Sequence, residues 1–538
     1  MSAPLRTVHR RRLVALATVA VVIVAVVIVA VVLVAVVLVA GQRGRSGPPD
    51  EGAAALVPDD TLAFVSVSTD PGRDANRRLL RTLEGFPGFR GLRDGLLARA
   101  TSAGAAGTRF AHDVRPWLGD EAALALLNTG GTRADSLLVL RVGDRAGAQR
   151  FLDRLPVRAV TRPYRGLAVA NYGPTATAFV DGYLLVGQDA GVRAAIDRTQ
   201  GATSLAVDPT YRYAGAGAPA QRSALLYFSA AGLRRLLRPA PGLAGTVGAL
   251  LDAPDLAGAA VALSGGAPGL RLWAHRTLNP ALAPASAPAP RFSPTLDATV
   301  PAGALAYVGL AGLDRLGAAL GGSRGVLGFL VGRLRVAGSG AVGRQLRASV
   351  VPLLRGEVAL WLAQAVPAPT LTLVARTGDE ARTRAAIAGL QAPLLAAFTP
   401  VVGSGQAPAL VQRDAAGLPV SSLQLAPGLE LNSAVFGGRL VVSTALGGLT
   451  AIRQSSASLS GDGGFRTTLA DRPADVGTVV YVDFDQLLDL AERTGLGADP
   501  RYAAHRADLR RVRSIGGWSI STARDSTTQV RVRLAHGP

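Results

Sequence analysis

The sequence predicts an α+β protein: an N-terminal transmembrane helix followed by two duplicated domains, each a mostly antiparallel sheet with helices packed on one face. Three observations predict it. Leu13–Ala40 is a long apolar run without a charged residue. The phrase VPDDTLAFVSV at Val57–Val67 returns as VPAGALAYVGL at Val300–Leu310. Between such phrases, short apolar stretches bounded by turn residues outnumber strand–helix–strand units, which favours antiparallel pairing over crossovers.

The apolar run sets the first boundary. As a helix, Leu13–Ala40 would be roughly 42 Å long at ~1.5 Å per residue, against a bilayer core of about 30 Å, so it spans with tilt. Backbone polar groups in lipid must bond within the segment, which leaves a helix as its state. The run is far longer than the ~7–15 apolar residues of a cleavable signal peptide. Leu38 and Ala40 at its exit make a poor cleavage pattern. The expectation is therefore an uncleaved signal anchor. Arg6, Arg10, Arg11 and Arg12 precede it, while Arg43 and Arg45 follow. That bias keeps residues 1–12 in the cytoplasm and places the rest outside the cell. Residues 41–52, with Pro48 and Pro49, read as a flexible stalk.

The internal echoes set the other boundaries. RPWLGDEAALAL at Arg115–Leu126 returns as VPLLRGEVALWL at Val351–Leu362. LLVLRVGD at Leu137–Asp144 returns as LTLVARTGD at Leu371–Asp379. VDGYLLVG at Val180–Gly187 returns as FGGRLVVS at Phe436–Ser443, and SALLYFS at Ser223–Ser229 as GTVVYVD at Gly477–Asp483. With the opening phrase, five echoes keep one order. Their spacing is too long for a solenoid repeat and reads as domain duplication. Asn279–Leu296 alternates Ala and Pro, favours extended backbone and cannot build a core. The domains are therefore expected at residues 53–278 and 297–538, with 279–296 as linker.

Within the first domain the elements follow from periodicity. Leu62–Val67 reads as a strand entered through a proline turn. Asn76–Glu84 and Gly88–Ala103 read as amphipathic helices, the second with Leu92, Leu96, Leu97 and Ala100 on one face. Ala122–Leu127 and Leu137–Val142 are strands, and Ala146–Leu155 is a helix. A hairpin-rich region runs to Gly187, with Asp181-Gly182 as a tight-turn pair. Then come a helix at Ala190–Thr199, a strand at Ala224–Ser229, a helix near Leu233–Leu251, and a closing pair at Gly258–Ser264 and Gly269–His275.

This order resembles an uncharacterised family of exported, membrane-anchored proteins from high-GC Gram-positive bacteria, known as domain of unknown function 3352. The matching residues are Pro58 and Ala63 in the opening strand, Pro116–Glu121 in the PWLGDE phrase, and Gly143-Asp144 before a helix. The resemblance runs from about Ala53 to the C-terminus. The second half departs from it, with Leu353, Arg355 and Gly356 where the first has Trp117, Gly119 and Asp120. The resemblance implies no activity, so no catalytic residue is carried over.

Composition narrows the chemistry. The 538 residues carry a net charge of +20, and all 57 basic residues are Arg. Aromatics are only 5 %. A nucleic-acid module would cluster its charge and interleave aromatics, so the Arg excess reads as codon usage and no nucleic-acid partner is expected. Cysteine is absent, which removes disulfides, thiolate nucleophiles, thiolate metal sites and Cys acylation together.

Candidate motifs are few. GSGAVG at Gly338–Gly343 is a literal G-x-G-x-x-G with Glu357 downstream. The corresponding place in the first half, TSAGAAGTRF, joins a helix to the PWLGDE phrase, so a Gly-rich connection explains it better than a dinucleotide site. Asp120-Glu121 would point to opposite faces of a strand, and a turn role at its start fits both Glu121 and Glu357. Asp483 and Asp485 flank Phe484, and a helix N-cap accounts for at least one of them. His9, His112, His275, His505 and His536 have no metal-ligand spacing. No cofactor is expected, and no catalytic or metal residue is assigned.

One charge run stands apart. Arg315 to Arg355 holds seven Arg and no acid, interleaved with Val326, Leu327, Phe329, Leu330 and Leu334. Arg333, Arg335, Arg344 and Arg347 are the candidate contacts to anionic lipid or envelope polymer. A solvated helix face is the plainer reading of the same residues. The sequence thus favours a non-catalytic binding or structural module of the cell envelope, tethered to the bilayer by its N-terminal helix. A carrier of a hydrophobic ligand and an extracytoplasmic hydrolase with a dispersed Ser/His/Asp site remain as alternatives. Protein partners are not legible.

Overall fold

The computed structural model describes residues 48–49, 51–91, 110–128, 134–237, 255–266, 269–279, 281, 290–312, 345–365, 369–398, 409–426 and 429–535. The apolar run Leu13–Ala40 lies outside them. Among the described residues no helix is long and apolar enough to cross a membrane.

Among the described residues, ten strands precede the Ala/Pro-rich segment: β1 (Ala63–Ser68), β2 (Leu118–Leu127), β3 (Asp135–Val142), β4 (Val160–Tyr164), β5 (Leu167–Tyr172), β6 (Thr175–Val180), β7 (Tyr183–Gly187), β8 (Ala224–Ser229), β9 (Leu256–Gly266) and β10 (Gly269–Leu278). Ten follow it: β11 (Ala306–Ala311), β12 (Glu357–Ala363), β13 (Thr370–Arg376), β14 (Ala409–Asp414), β15 (Pro419–Ala426), β16 (Leu429–Phe436), β17 (Arg439–Ser443), β18 (Thr478–Asp483), β19 (Val512–Ser521) and β20 (Asp525–Leu534). Their hydrogen bonds define one antiparallel order. It runs β4-β5-β6-β7-β3-β2-β1-β8-β9-β10 in the first half. It runs β14-β15-β16-β17-β13-β12-β11-β18-β19-β20 in the second. Each pairing in one half has its counterpart in the other.

The two series meet where β10 pairs with β20, from Gly269 opposite Arg533 to Thr277 opposite Asp525. The seam closes a single 20-stranded sheet. An antiparallel join of equivalent last strands is a two-fold arrangement within one chain, the geometry a homodimer uses when each copy offers the same surface.

The repeated opening phrases now have a physical cause. Pro58 forms an isolated bridge with Ser204, and Pro301 forms one with Ser458. The Leu205 amide donates to the Val57 carbonyl at 2.7 Å, and the Leu459 amide to that of Val300 at 2.8 Å. A proline bridge starts each first strand, which then pairs Ala63 with Leu126 and Ala306 with Leu362. At the predicted Asp181-Gly182 turn both residues have positive φ, 48° and 80°, as a two-residue hairpin requires. Gly437 and Gly438 do the same before β17, at 57° and 68°.

The helices are α1 (Asp74–Glu84), α2 (Arg145–Asp153), α3 (Asp189–Arg198), α4 (Pro209–Gly215), α5 (Glu380–Phe398), α6 (Leu446–Gln454), α7 (Gly463–Thr468), α8 (Phe484–Arg493) and α9 (Pro500–Leu509). They cover both faces of the sheet, not the single face the sequence predicts. Leu184 packs with Ala148 and Leu152 of α2, whereas the next residue, Leu185, packs with Val192 and Ile196 of α3. Phe64 faces α4, while Val65 and Val67 face α1. Consecutive apolar residues in a strand point to opposite sides, so runs such as YLLVG demand cover on both. Outside the described residues lie 92–103 of the predicted second helix and 238–251 of the helix after β8.

Each half buries an aromatic trio in T-shaped contact. Phe64–Tyr211–Tyr227 has centroids 5.9 and 5.2 Å apart, and Tyr307–Phe465–Tyr481 has 5.9 and 5.2 Å. A further cluster crosses the seam, where Leu79, Leu83, Leu270 and Leu272 pack with Phe484, Leu488, Tyr502 and Val532. Burying each such side chain contributes about 1.5–3 kcal/mol, so the halves share core as well as hydrogen bonds.

Candidate functional site

The acids singled out in the sequence occupy structural positions. Glu121 is fully buried in β2. Its carboxylate accepts hydrogen bonds from the Ala53 amide (3.1 Å), the Ser66 hydroxyl (3.2 Å) and the Tyr183 hydroxyl (2.8 Å). Glu357, the first residue of β12, is 6 % exposed. It accepts from the Thr295 and Leu296 amides, both at 2.8 Å, and from the Thr295 hydroxyl at 2.5 Å. Each therefore fastens the one-turn 3₁₀ segment that leads into the first strand of its half, Gly52–Leu56 or Leu296–Ala298. Asp483 caps α8 by accepting from the Gln486 amide at 3.1 Å. Burial pushes its carboxyl above the ordinary carboxylate value, opposed by those hydrogen bonds. Asp485 sits in the first turn of α8 and pairs with Arg510 and Arg513.

The histidines divide. His9 and His536 lie outside the described residues, and His112 and His505 are exposed. His275 is buried at the seam. Its Nδ1 lies 3.2 Å from the Ala214 carbonyl oxygen and its Nε2 3.9 Å from Asp525. The Tyr213 hydroxyl donates to the same Asp525 at 2.6 Å. A carbonyl only accepts, so Nδ1 carries the proton and Nε2 faces a carboxylate. Among the described residues no serine hydroxyl bonds to this ring, and no three acids or histidines converge as a metal would require.

Of the Arg run, Arg333, Arg335 and Arg344 lie outside the described residues, as does GSGAVG. Arg347 falls in the helical turn Leu346–Val350.

What the sequence reading missed lies beside the second lead-in turn. Ala298, Thr299, Arg439, Ile452 and Ser455–Ser458 line a cleft of about 330 Å³. Arg439 begins β17 directly opposite Arg376 of β13. In the first half, Tyr183 stands opposite Arg141 instead. The guanidinium of Arg141 lies 4.9 Å from the Tyr183 ring centroid. The signal lies in the echo of VDGYLLVG by FGGRLVVS, which aligns Tyr183 with Arg439, and an additional Arg is inconspicuous in an Arg-rich chain.

This architecture can be set beside other proteins. The model of the family described as "Protein of unknown function (DUF3352)" matches residues 19–536. The chain belongs to this family. The DUF3352 assignment agrees with the resemblance carried by the PWLGDE phrase, and it brings no activity with it. None of the curated proteins matches the chain. Three crystal forms of TP0453 are similar at low level. Form I has TM-score 0.26 and 9 % identity over 43 % of this chain and 79 % of that one. Forms III and IV have TM-score 0.25 and 10 % identity over 42 % of this chain, covering 79 % and 83 % of theirs.

Proposed function

We propose that this DUF3352 protein is a single-pass, membrane-anchored extracytoplasmic protein. Its 20-stranded body serves as a non-catalytic binding or structural module of the cell envelope. The observation that carries the reading is the charge-free run Leu13–Ala40 behind Arg10, Arg11 and Arg12, which anchors a chain and keeps its N-terminus inside. The engagement of Glu121, Glu357 and Asp483 in turns and caps supports a scaffold role for these acids. The matching strand order of the two halves supports an origin by duplication, with residues 53–278 and 297–538 as the copies. Arg333, Arg335, Arg344 and Arg347 are the proposed contacts to anionic headgroups.

Protease added to intact spheroplasts tests the topology. Digestion of the body with a protected N-terminus is the expected result. A body that resists digestion, or that is released from the membrane as a soluble product, overturns it. Sedimentation of the full chain, reconstituted in neutral liposomes, with added anionic vesicles tests the Arg contacts. Changing the four to Gln should abolish a salt-sensitive association, since each contributes about 1 kcal/mol at an anionic surface.

A further inference from the structure

We propose that the cleft beside the second lead-in turn binds the phosphate monoester of a small polyol, with Arg439 as its anion ligand. The proposal stands apart from the envelope reading, because it rests on the cleft alone.

The argument starts from a like-charge pair. Arg376 and Arg439 are directly opposite on neighbouring antiparallel strands, an arrangement that is destabilising unless negative charge separates the two. The nearby carboxylate is Glu357, and it is taken. Its oxygens accept from two amides and a hydroxyl of the lead-in turn, and its remaining attraction goes to Arg376, whose Nε lies 3.5 Å away. Arg376 also donates to the Thr295 hydroxyl at 2.5 Å. The Arg439 side chain has no ion pair or hydrogen bond among the described residues, and the residue lines the cleft.

The first half shows what a closed version looks like. There Tyr183 takes the place of Arg439, donates to Glu121 and stacks under Arg141. The second half has a guanidinium beside a concavity where the first has a hydrogen-bonded tyrosine.

The rest of the lining selects the ligand. Thr299 and Ser456 line the cleft, and their hydroxyls make no hydrogen bond among the described residues. The Ser455 hydroxyl donates to the Ala457 carbonyl at 2.6 Å, and Ser458 pairs with Ser460 at 3.0 Å. One guanidinium fork plus two free hydroxyls suits three phosphate oxygens better than the two of a carboxylate. The C-terminal end of α6 also borders the cleft through Ile452 and Ser455. Its last carbonyls lack intrahelical donors and carry partial negative charge. They would repel a bare anion but accept from the hydroxyls of a polyol. A volume of about 330 Å³ is at the lower end for small-molecule sites and has room for more than phosphate.

The test titrates the purified full chain in detergent with glycerol 3-phosphate, following binding by calorimetry. Saturable binding is expected, with at least tenfold weaker binding in Arg439→Gln and in Arg439→Tyr, which installs the first-half residue. Arg453→Gln, at an exposed arginine of α6, should bind like the parent. A second arm uses nanodiscs containing phosphatidic acid against phosphatidylcholine alone. Arg439-dependent binding confined to the phosphatidic acid discs assigns the phosphate to a lipid headgroup and supports the site. Thermal melts of both variants identify any that fail to fold. No binding in either arm, or binding that Arg439→Tyr leaves intact while folded, overturns the proposal.

Discussion

Glu121 and Glu357 hold equivalent positions in β2 and β12, and each fastens the turn that leads into the first strand of its half. They do so with different partners. Glu121 takes the Tyr183 hydroxyl, whereas Glu357 takes the Thr295 hydroxyl and Arg376. Removing either carboxylate strands several buried donors, each costing about 1–3 kcal/mol. Glu121→Ala should therefore destabilise by about 3 kcal/mol or more, and Glu121→Gln by less, because the amide oxygen still accepts. Denaturant melts of the two variants check this, and equal losses would show that burial, not the hydrogen bonds, holds the turn.

The aromatic trios carry a cleaner prediction. Tyr211 in the first half and Tyr307 in the second are buried, and their hydroxyls have no hydrogen-bond partner among the described residues. Burial, the largest cause, drives both hydroxyl pKa values well above the ordinary value. An unpaired buried hydroxyl is a cost without compensation. Tyr307→Phe should keep the T-shaped contact with Phe465 and stabilise the chain by about 1 kcal/mol. A loss of that size on thermal unfolding would instead point to a bound water on the hydroxyl.

Much of this was legible in the sequence. The echoes located the equivalent strands, since β1 begins one residue after the predicted Leu62 and β11 begins inside the echoed phrase Val300–Leu310. The alternation failed at one point. YLLVG and ALLYFS read as apolar without saying which neighbour lies on which side, so cover on both faces went unseen. The continuous sheet was also out of reach, because a seam between β10 and β20 depends on two edges that lie far apart in the chain. Of the site, Arg439 was visible only as a departure within an echo, and Glu121 and Glu357 were visible as turn residues without their partners.

The seam predicts that neither half stands alone. A chain ending after residue 279 would expose the full hydrogen-bonding edge of β10 and the apolar residues Leu79, Leu83, Leu270 and Leu272 that pack on Phe484 and Leu488. An unpaired apolar edge of that length is an aggregation hazard. Residues 48–279 should be insoluble or associate through β10 when expressed alone, and co-expression with residues 290–538 should rescue them. A soluble monomeric fragment by light scattering would show that the halves are independent domains.

Two glycines in equivalent helices test how closely the helices sit on the sheet. Gly448 in α6 faces the hydroxyl pair of Thr372 and Ser443, which lie 2.8 Å apart in the core, and an added Cβ would land on both oxygens. At Gly191 in α3 an added Cβ would lie 3.2 Å from the Leu127 methyl and 3.9 Å, an ordinary contact, from the Ser136 carbonyl oxygen. Overpacking a core typically costs about 1–3 kcal/mol. Gly448→Ala should therefore destabilise by that amount, and Gly191→Ala should be close to neutral as Leu127 shifts and helix propensity improves. Equal melting temperatures for the two variants would mean that the α6 docking is looser than its geometry.

Asp483 gives the pH dependence. Burial raises its carboxyl pKa above 3.8, and the hydrogen bonds to Gln486 oppose the shift. A group raised in the folded state stabilises most when protonated, so its contribution is full below about pH 3.8 and is lost as pH rises through the folded value. Asn caps a helix about as well as Asp and carries no charge to bury. Asp483→Asn should therefore match the parent near pH 3.5 and become the more stable protein as pH rises towards neutrality, with the gap flat thereafter. Melting temperatures of both proteins from pH 3.5 to 7 check the sign. A gap that instead favours Asp with rising pH would mean that the charge on the α8 dipole outweighs the cost of burying it.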